Sequence, residues 1–249
     1  MSKITFAHCT PDAEKQIIDM ARVSTPANVG KYSTGPRLLK YLIEHNHWSP
    51  FEMASMSVKI DTTRDISAQI IRHRSFSYQE FSQRYSDVTS LAPIEVPELR
   101  LQDAKNRQNS IEGGLDPETE KVLKARIDSY FKLGTTLYSD MLNLGVAKEC
   151  ARKVLPMNSP TTLYMHGTLR SWIHYVNVRA EKGTQKEHRQ IAEGVKSIME
   201  EEFPAICAAL NSIEKAKEKD ALDLKLFRSN SYVEFIENLF GFFKRSWRS

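Results

Sequence analysis

The sequence has few cysteines, and none is arranged to build a metal site or a disulfide framework. Cys9, Cys150 and Cys207 lie far apart among 249 residues, with neither a Cys-x-x-Cys pair nor a Cys/His cluster. An odd number of separated cysteines is typical of reduced thiols in the cytoplasm rather than of a secreted, cross-linked domain. We therefore predict buried, reduced thiols, no bound metal and a cytoplasmic protein, or one in the host cytoplasm if the source is viral.

Long apolar segments are also absent. No run of apolar residues approaches the roughly 20 residues of a membrane-spanning helix, and residues 1–10 lack the apolar core of a signal peptide. We therefore predict no association with a membrane. The sequence contains no G-x-G-x-x-G fingerprint, no P-loop and no internal repeat, which argues against a Rossmann unit and against a repeat protein.

Charge of one sign does not dominate either. The chain carries 35 lysines and arginines against 31 acidic residues, a net charge of +4, which by itself is too mild to indicate nucleic-acid binding. Hydrophobic residues make up 41% of the chain, enough for a sizeable core and too many for a disordered protein. The length fits one large domain or two small ones.

The polar chemistry of the chain is concentrated in residues 69–85. Aromatic residues and serines alternate there with charged residues, which are Arg72, His73, Arg74, Glu80 and Arg84. Arginine offers a rigid fork of donors that suits phosphate, hydroxyl groups add neutral hydrogen bonds, and aromatic rings stack on flat heterocycles. The combination predicts a pocket for a planar, phosphorylated ligand, which means a nucleotide.

Other interpretations of this segment stay open from the residues alone. The first alternative is that its arginines form a solvated surface, as single arginines usually do. The second is that they bind phosphate in a nucleotide hydrolase or kinase. The latter needs a P-loop or a carboxylate cluster for Mg²⁺, and the sequence shows neither. An RNA- or DNA-binding face is the third alternative and predicts salt-dependent oligonucleotide binding. The mild charge and scattered lysines favour a small ligand over nucleic acid.

Hydrophobic periodicity predicts more helices than strands and no repeated βαβ unit. Helices are expected at 11–21, 36–46, 116–144, 147–154, 169–180 and 204–210, with two more that begin at 62–63 and at a capping box at 184–187. Strands are expected at 4–6, 53–60 and 161–166. Residues 92–116 are expected to form a long loop, either a lid or an insertion without a role.

The predicted helix 169–180 has two different faces. Its apolar face comprises Leu169, Trp172, Ile173 and Val176. Its polar stripe comprises Arg170, His174 and Asn177, and Arg179 lies off that stripe. Periodicity does not decide whether the polar stripe lines a site or faces solvent.

The end of the chain carries an apolar stripe followed by basic residues. The stripe comprises Phe235, Ile236, Leu239, Phe240 and Phe243. Membrane contact is one interpretation, and packing on the domain or on a neighbouring subunit is the favoured one.

Arg72-His73-Arg74, followed after seven residues by Ser82 and one residue later by Arg84, resembles the signature of the flavin-dependent thymidylate synthases. Further blocks are similar to the same family at 47–52, 151–158, 170–179 and 184–189, and the resemblance covers about residues 4–206. It implies an α+β fold, a single domain with a mixed or antiparallel sheet packed with several helices, the thymidylate synthase-complementing protein fold. We expect this domain at 1–220 and an amphipathic C-terminal extension at 221–249.

The resemblance implies an enzyme that methylates dUMP to dTMP. It implies that 5,10-methylenetetrahydrofolate provides the carbon and that FAD, reduced by NADPH, provides the reducing equivalents. It also implies a homotetramer with active sites shared between subunits. A uracil ring is activated either by a thiolate at C6 or by stabilising the negative charge that develops on it. The chain has no strong cysteine nucleophile but has arginines for the second route.

The resemblance also assigns residues to the two ligands. The FAD contacts are expected to be Ser24, Ser49, Arg72, His73, Arg74 and Glu80, with Thr168, Arg170 and His174 from another subunit. The dUMP contacts are expected to be Gln69, Arg72, Glu80, Phe81, Ser82, Gln83, Arg84, Arg152 and Arg179. Arg179 is expected at the uracil edge, where it favours the N3-ionised ring and acts as the catalytic residue.

Overall fold

The structure of the protein is a computed structural model, and it describes residues 2–221. The strands are β1 (Lys3–Cys9), β2 (Ser55–Thr63), β3 (Ser77–Glu80), β4 (Arg100–Gln102), β5 (Ser110–Glu112) and β6 (Pro160–Thr168). The helices are α1 (Ala13–Ala21), α2 (Gly35–Glu44), α3 (Arg64–Ile70), α4 (Pro117–Asn143), α5 (Lys148–Ala151), α6 (Leu169–Arg179), α7 (Lys186–Glu202) and α8 (204–221). Short 3₁₀ helices lie at Pro26–Asn28, Tyr32–Thr34, Ser49–Glu52, Val88–Ser90 and Arg152–Val154.

Four strands form an antiparallel sheet in the order β1-β2-β6-β3. The central ladder joins β2 to β6, from Ser55 opposite Thr168 to Thr63 opposite Pro160. Alternate residues of β2 are fully buried, as period-two alternation predicts for a sheet with one covered face: Met56, Val58 and Ile60. This architecture confirms the predicted α+β fold class.

Helices α3, α6 and α7 cover the inner face of the sheet. Helices α3 and α6 both pack on β2 and β6, and α7 packs on α3, α6 and β1. The Trp172 indole, on the buried face of α6, donates a hydrogen bond to the carbonyl oxygen of Met56 at 2.9 Å. The apolar face predicted for this helix is buried, and Tyr175 is buried with it. The three helices, whose ends carry predicted site residues, are therefore fixed by packing on the same face of the sheet.

Helix α4 begins and ends where the sequence predicts. The Asp116 carboxylate accepts a hydrogen bond from the Thr119 N–H at 3.0 Å, which caps the first turn. At the other end Gly145 has a φ of 82°, and the Val146 N–H donates to the Met141 carbonyl oxygen at 2.9 Å, as in a Schellman stop. The predicted wide apolar face is only partly buried, since its buried residues are Phe131, Gly134 and Tyr138.

The predicted loop 92–116 contains a short antiparallel hairpin formed by β4 and β5. Each strand has three residues, and most of them are exposed. No alternation of buried and exposed positions therefore marks these strands in the sequence. The expectation of a loop without secondary structure is wrong for this part of the segment.

Helix α7 does not begin with the predicted capping box. Gln185 is the N-cap residue, and no side chain caps the helix. The Thr184 hydroxyl donates to the Val178 carbonyl oxygen at 3.4 Å, and the Glu187 carboxylate accepts from Arg100. A long-range ion pair has taken the place of the predicted local contact.

The three cysteines have different environments. Cys207 is buried, Cys9 is half-buried and Cys150 is exposed. The prediction of buried thiols is therefore wrong for Cys150, which lies on the short helix α5.

The predicted C-terminal extension, with its apolar stripe at 235–243, falls outside the described residues beyond position 221. Helix α8 continues to that position, whereas the sequence predicts a short helix that ends at 210. None of the helices within residues 2–221 is both long and apolar enough to cross a membrane.

Candidate active site

The ends of three helices meet at one place and bring predicted site residues together. Arg179, the last residue of α6, donates from Nε to Nε2 of His73, just beyond the end of α3, at 2.8 Å. Gln69, in the last turn of α3, donates from Nε2 to Oε1 of Gln185 at the start of α7, at 2.7 Å. The predicted catalytic arginine thus contacts one predicted FAD contact, His73, and the predicted dUMP contact Gln69 lies on the helix that ends beside it.

His73 is neutral at neutral pH in the folded protein. Burial lowers the pKa of its ring to about 4, and Arg179 and His174 act in the same direction. Because Nε2 accepts the hydrogen bond from Arg179, the proton of the neutral ring is on Nδ1. His73 therefore orients the guanidinium group of Arg179 without cancelling its positive charge.

Phe76 anchors the arginine-rich segment to the core. Its ring is buried, and its centroid lies 4.6 Å from that of Trp172 in an edge-to-face arrangement. A Cβ atom added to Gly167 would lie 2.4 Å from the Phe76 ring, so the close approach of the segment requires glycine there. This ring is therefore part of the core.

Tyr78 fixes the end of α3. Its hydroxyl donates to the carbonyl oxygens of Ile70 and His73, at 2.9 and 2.8 Å, both of which also accept a backbone N–H in the turn after the helix. Arg72 and Arg74 flank His73 and are exposed, and within residues 2–221 neither guanidinium group has a hydrogen-bond or ion-pair partner. The segment thus presents two free cations from a rigidly held backbone.

Glu80 joins α3 to the sheet. Its Oε1 atom accepts from the hydroxyls of Ser67 and Thr161, at 2.7 and 2.9 Å, and lies 2.7 Å from Nη1 of Arg64. The three partners, which sequence reasoning missed, all contact one oxygen of this predicted ligand contact. Arg64 and Ser67 lie on α3 and Thr161 lies on β6, and no local spacing connects them to Glu80.

The predicted dUMP contacts that follow β3 lie beside α5. Ser82 and Arg84 line a cavity of about 360 Å³ together with residues 147–149. Nη2 of Arg84 lies 3.2 Å from a carboxylate oxygen of Glu149. Arg152 follows in the next turn, and its guanidinium group has no ion-pair partner within the described chain. Arg84 therefore lines this cavity, and Arg152 directly follows the helix that borders it.

Phe81 and Gln83 alternate with these two cavity residues and face the protein. The Phe81 N–H donates to the Thr162 carbonyl oxygen at 2.8 Å, and its ring packs on a small cluster around Tyr138 and Ala151. Gln83 is buried. These two predicted dUMP contacts therefore hold the loop in place.

Two of the FAD contacts predicted on α6, Thr168 and Arg170, lie at the opposite end of that helix from Arg179. The Thr168 hydroxyl accepts a backbone N–H of the first turn at 3.3 Å and caps the helix. Arg170 forms an ion pair with Glu52, at the end of the 3₁₀ helix that begins with Ser49. His174 is exposed. Ser49 and Arg170 are therefore brought near each other.

Ser24 is not brought to any of these groups. It lies in the exposed turn after α1, and its side chain makes no hydrogen bond within residues 2–221. Its predicted contact with FAD stays a prediction.

A larger cavity, of about 500 Å³, contains none of the predicted residues. It lies between α4 and residues 88–94, with Phe131 and Tyr138 in its wall. Its two charged residues, Asp128 and Lys132, pair with each other at 2.7 Å. It lacks the unpaired, convergent polar groups that would orient a nucleotide. Among the described residues, no group of three His, Cys, Asp or Glu side chains is placed to hold a metal ion.

Two buried polar side chains behind Arg179 are without partners. His188 is fully buried, and neither of its ring nitrogens nor the Tyr175 hydroxyl has a hydrogen-bond partner within residues 2–221. The ring centroids of His188 and His73 are 6.1 Å apart. The sequence analysis assigned His188 no role. A histidine is nevertheless an unusual residue on the buried face of a helix, because buried polar groups normally have hydrogen-bond partners.

Acidification is expected to destabilise the protein through His73 and His188. Burial lowers the pKa of each to about 4 from 6.5. The unfolded chain therefore binds more protons than the folded chain between about pH 6.5 and pH 4, and the free energy of unfolding falls as pH falls through that window. A His188→Leu variant should lose less stability than the unaltered protein from pH 7 to pH 5, as measured by urea midpoints.

The exposed His8 supplies the control for this experiment. A His8→Leu variant should keep the original dependence on pH because its ring is exposed to water in the folded protein. Equal pH dependence of the His188→Leu variant and the unaltered protein would contradict the assignment.

The comparisons with known proteins agree with the fold. A model of the thymidylate synthase complementing protein family matches residues 5–205. A protein named probable flavin-dependent thymidylate synthase, from Paramecium bursaria Chlorella virus 1, is 46% identical over 200 residues, 80% of this chain and 91% of that protein. The flavin-dependent thymidylate synthase of a Synechocystis strain is 48% identical over 190 residues, 76% of this chain and 86% of that protein.

A solved structure shares the fold at low sequence identity. It is that of a UMP/dUMP methylase from Streptomyces cacaoi bound with 5-Br dUMP, with a TM-score of 0.73 and 20% identity. It covers 85% of this chain, and this chain covers 95% of it. The α+β fold predicted from the resemblance is thereby confirmed.

These matches define an enzyme family rather than a nucleic-acid-binding module. The chain belongs to the thymidylate synthase complementing protein family, whose members include the flavin-dependent thymidylate synthases. The family predicted from the arginine and serine spacing is confirmed.

Proposed function

We propose that the protein converts dUMP to dTMP in the cytoplasm, with 5,10-methylenetetrahydrofolate as the carbon donor and NADPH-reduced FAD as the reductant. The names of its relatives support the flavin and the product, and the dUMP analogue in the structurally similar methylase supports the substrate. The observation that carries the proposal is the contact of Arg179 with a neutral His73 next to two unpaired arginines.

Arg179 activates the uracil ring in this proposal. C5 of uracil is a poor nucleophile and becomes a better one when the ring carries negative charge. The half-buried Arg179 guanidinium, fixed by His73, stabilises that charge at the ring edge and favours the N3-ionised form. Such a preorganised cation contributes most in a site from which water is partly excluded.

The phosphate of dUMP is held on the other side of the site. Arg84 and Lys148 line the cavity beside α5, Arg152 follows that helix in the chain, and Ser82 adds a hydroxyl donor. Arginine forks match phosphate oxygens in two hydrogen bonds at once. Glu149 now pairs with Arg84 through an exposed contact, which phosphate can displace because such ion pairs are weak.

The residues present also fit a cofactor with a pyrophosphate group. The unpaired guanidinium groups of Arg72 and Arg74 supply cations, and the hydroxyls of Ser49 and Thr168 supply neutral donors. When bound, FAD supplies the reducing equivalents that complete the methyl group. Arg170 and Glu52, which pair near Ser49, would keep that part of the site ordered.

An exposed apolar stripe on α4 supports the proposed homotetramer. Its residues occupy one arc of roughly 100° at 100° per residue along the helix, and they are Val122, Leu123, Tyr130, Leu133, Leu137 and Leu144. Large exposed apolar patches typically mark protein interfaces. We infer that a second copy of the chain covers this stripe and that the assembly brings together active-site residues of different subunits.

A Cys150→Ala variant is expected to keep at least half of the original rate of dTMP formation, as measured by chromatography of the nucleotides. A thiolate mechanism needs a thiol with a lowered pKa. Burial raises the pKa of the Cys9 and Cys207 thiols, that of Cys207 to about 11. The exposed Cys150 is therefore the cysteine whose role as a nucleophile has to be tested. Loss of turnover in a variant that melts normally would contradict the mechanism without a cysteine.

The visible absorption spectrum tests the proposed cofactor. The purified protein, or the protein incubated with FAD and desalted, should show an oxidised-flavin spectrum. Anaerobic NADPH in the presence of dUMP should bleach it. A colourless protein that does not retain added FAD would refute the proposal, and oligonucleotide binding would then be the property to measure.

A further inference from the structure

We propose that Arg100 is a positioning residue for the nucleotide, which sets the orientation of Gln69 through Glu187 and Gln185. Arg100 lies on β4 of the hairpin, a segment for which the sequence indicates only a loop. The inference rests on the proposed function, because Gln69 is one of the proposed dUMP contacts.

An unbroken series of hydrogen bonds links the hairpin to the site. Nη2 of Arg100 donates to both carboxylate oxygens of Glu187, at 2.7 and 3.0 Å. Nε2 of Gln185 donates to Oε2 of Glu187 at 3.0 Å. Oε1 of Gln185 accepts from Nε2 of Gln69 at 2.7 Å.

The series has only one consistent arrangement of donors and acceptors. Burial raises the pKa of Glu187, but hydrogen bonds and the Arg100 charge outweigh it, so that the pKa is lowered overall and the carboxylate is ionised. An ionised carboxylate only accepts, so the amide nitrogen of Gln185 faces Glu187 and its oxygen faces Gln69. The nitrogen of Gln69 is thereby engaged, and its Oε1 atom is left to accept a hydroxyl or N–H group of the nucleotide.

Arg100 is the well-buried member of this series. Its side chain is 11% exposed, whereas that of Glu187 is 33% exposed. Partial burial and two charge-assisted hydrogen bonds distinguish the pair from the exposed ion pairs on α4. The Glu187 carboxylate accepts side-chain hydrogen bonds from Arg100 and Gln185.

The base of the hairpin is fixed to α7 by a second set of contacts. Nζ of Lys186 lies 2.9 Å from a carboxylate oxygen of Glu98 and 2.8 Å from one of Glu112. Arg100 and Glu112 are directly opposite each other in the ladder of the hairpin. These contacts keep Arg100 next to the first turn of α7. The role of the hairpin in this proposal is to hold Arg100 where it can position Gln69.

Calorimetric titration of the FAD-loaded, full-length enzyme with dUMP tests this inference. Arg100→Ala should raise the dissociation constant for dUMP about tenfold, since a lost charge-assisted positioning contact is worth roughly one factor of ten in affinity. Flavin content and the turnover number at saturating dUMP should stay unchanged, because the lost interaction serves binding and not the chemical step. Glu187→Gln should have the same effect.

Two further variants separate positioning from general damage. Arg107→Ala removes an exposed arginine from the turn of the same hairpin and should leave the dissociation constant unchanged. In a Gln69→Ala background, Arg100→Ala should cause no further loss, because the path ends at Gln69.

The remaining outcomes distinguish failure of this inference from failure of the proposed function. Unchanged affinity in Arg100→Ala, or a full tenfold loss on top of Gln69→Ala, would overturn the inference while the unaltered enzyme still binds dUMP. Failure of the unaltered, FAD-loaded enzyme to bind dUMP would refute the proposed function itself.

Discussion

Arg179→Ala is expected to lower the rate of dTMP formation by about 10²–10³-fold, the loss typical for removal of one preorganised charge-stabilising group. The protein should fold and keep FAD, because Arg179 lies at the end of α6 and its Nε contacts His73 rather than the core. Steady-state assays with saturating substrates and the flavin absorbance per subunit measure the two quantities. Arg179→Lys should retain part of the activity, since it keeps the charge and loses the fork.

Arg107→Ala supplies the matched control for that prediction, as it also removes one arginine but from an exposed turn of the hairpin. It should turn over at the original rate. An Arg179→Ala enzyme with full activity would show that this arginine does not activate the uracil ring.

Leu133→Asp is expected to dissociate the assembly and to abolish activity. Leu133 is 68% exposed in the single chain and lies in the middle of the apolar stripe on α4. If a second copy covers the stripe, the new carboxylate is buried without a partner, at a cost on the order of 3–5 kcal/mol. Light scattering after size exclusion should show the mass fall toward that of one chain, 28.5 kDa. Activity should fall with it because the proposed sites are shared between subunits.

Ala125→Asp is the control for the interface prediction. Ala125 is exposed on α4 but faces away from the apolar stripe, near the charged residues of the helix. This variant should keep the mass and the activity of the unaltered protein. If Leu133→Asp also keeps its mass, the stripe does not hold the subunits together.

Hydrophobic periodicity predicts the elements in which burial repeats regularly along the sequence. The alternation in β2 and the apolar face of α6 have this property, and the structure buries both. Arg179 is different, because it lies off the polar stripe of its helix and only the resemblance of residues 170–179 identified it. Its partner His73 is 106 positions away, and no local pattern joins two such residues.

Contacts made over long stretches of chain also explain the predictions that are wrong. Glu187 has the spacing of a capping-box residue, but its carboxylate accepts hydrogen bonds from Arg100 instead of forming the box. The hairpin that carries Arg100 has strands too short and too exposed to show a period. Phe76 lies among polar residues in the sequence, yet Trp172 and Gly167 form a core site for its ring.

Formation of dTMP from dUMP by the purified protein tests the central claim most directly. With labelled dUMP, 5,10-methylenetetrahydrofolate, NADPH and FAD, chromatography should show labelled dTMP. With protein freed of bound flavin beforehand, omission of any one of the last three components should prevent its formation. No dTMP in the complete mixture, or undiminished dTMP without FAD and NADPH, would contradict the proposed flavin-dependent methylation.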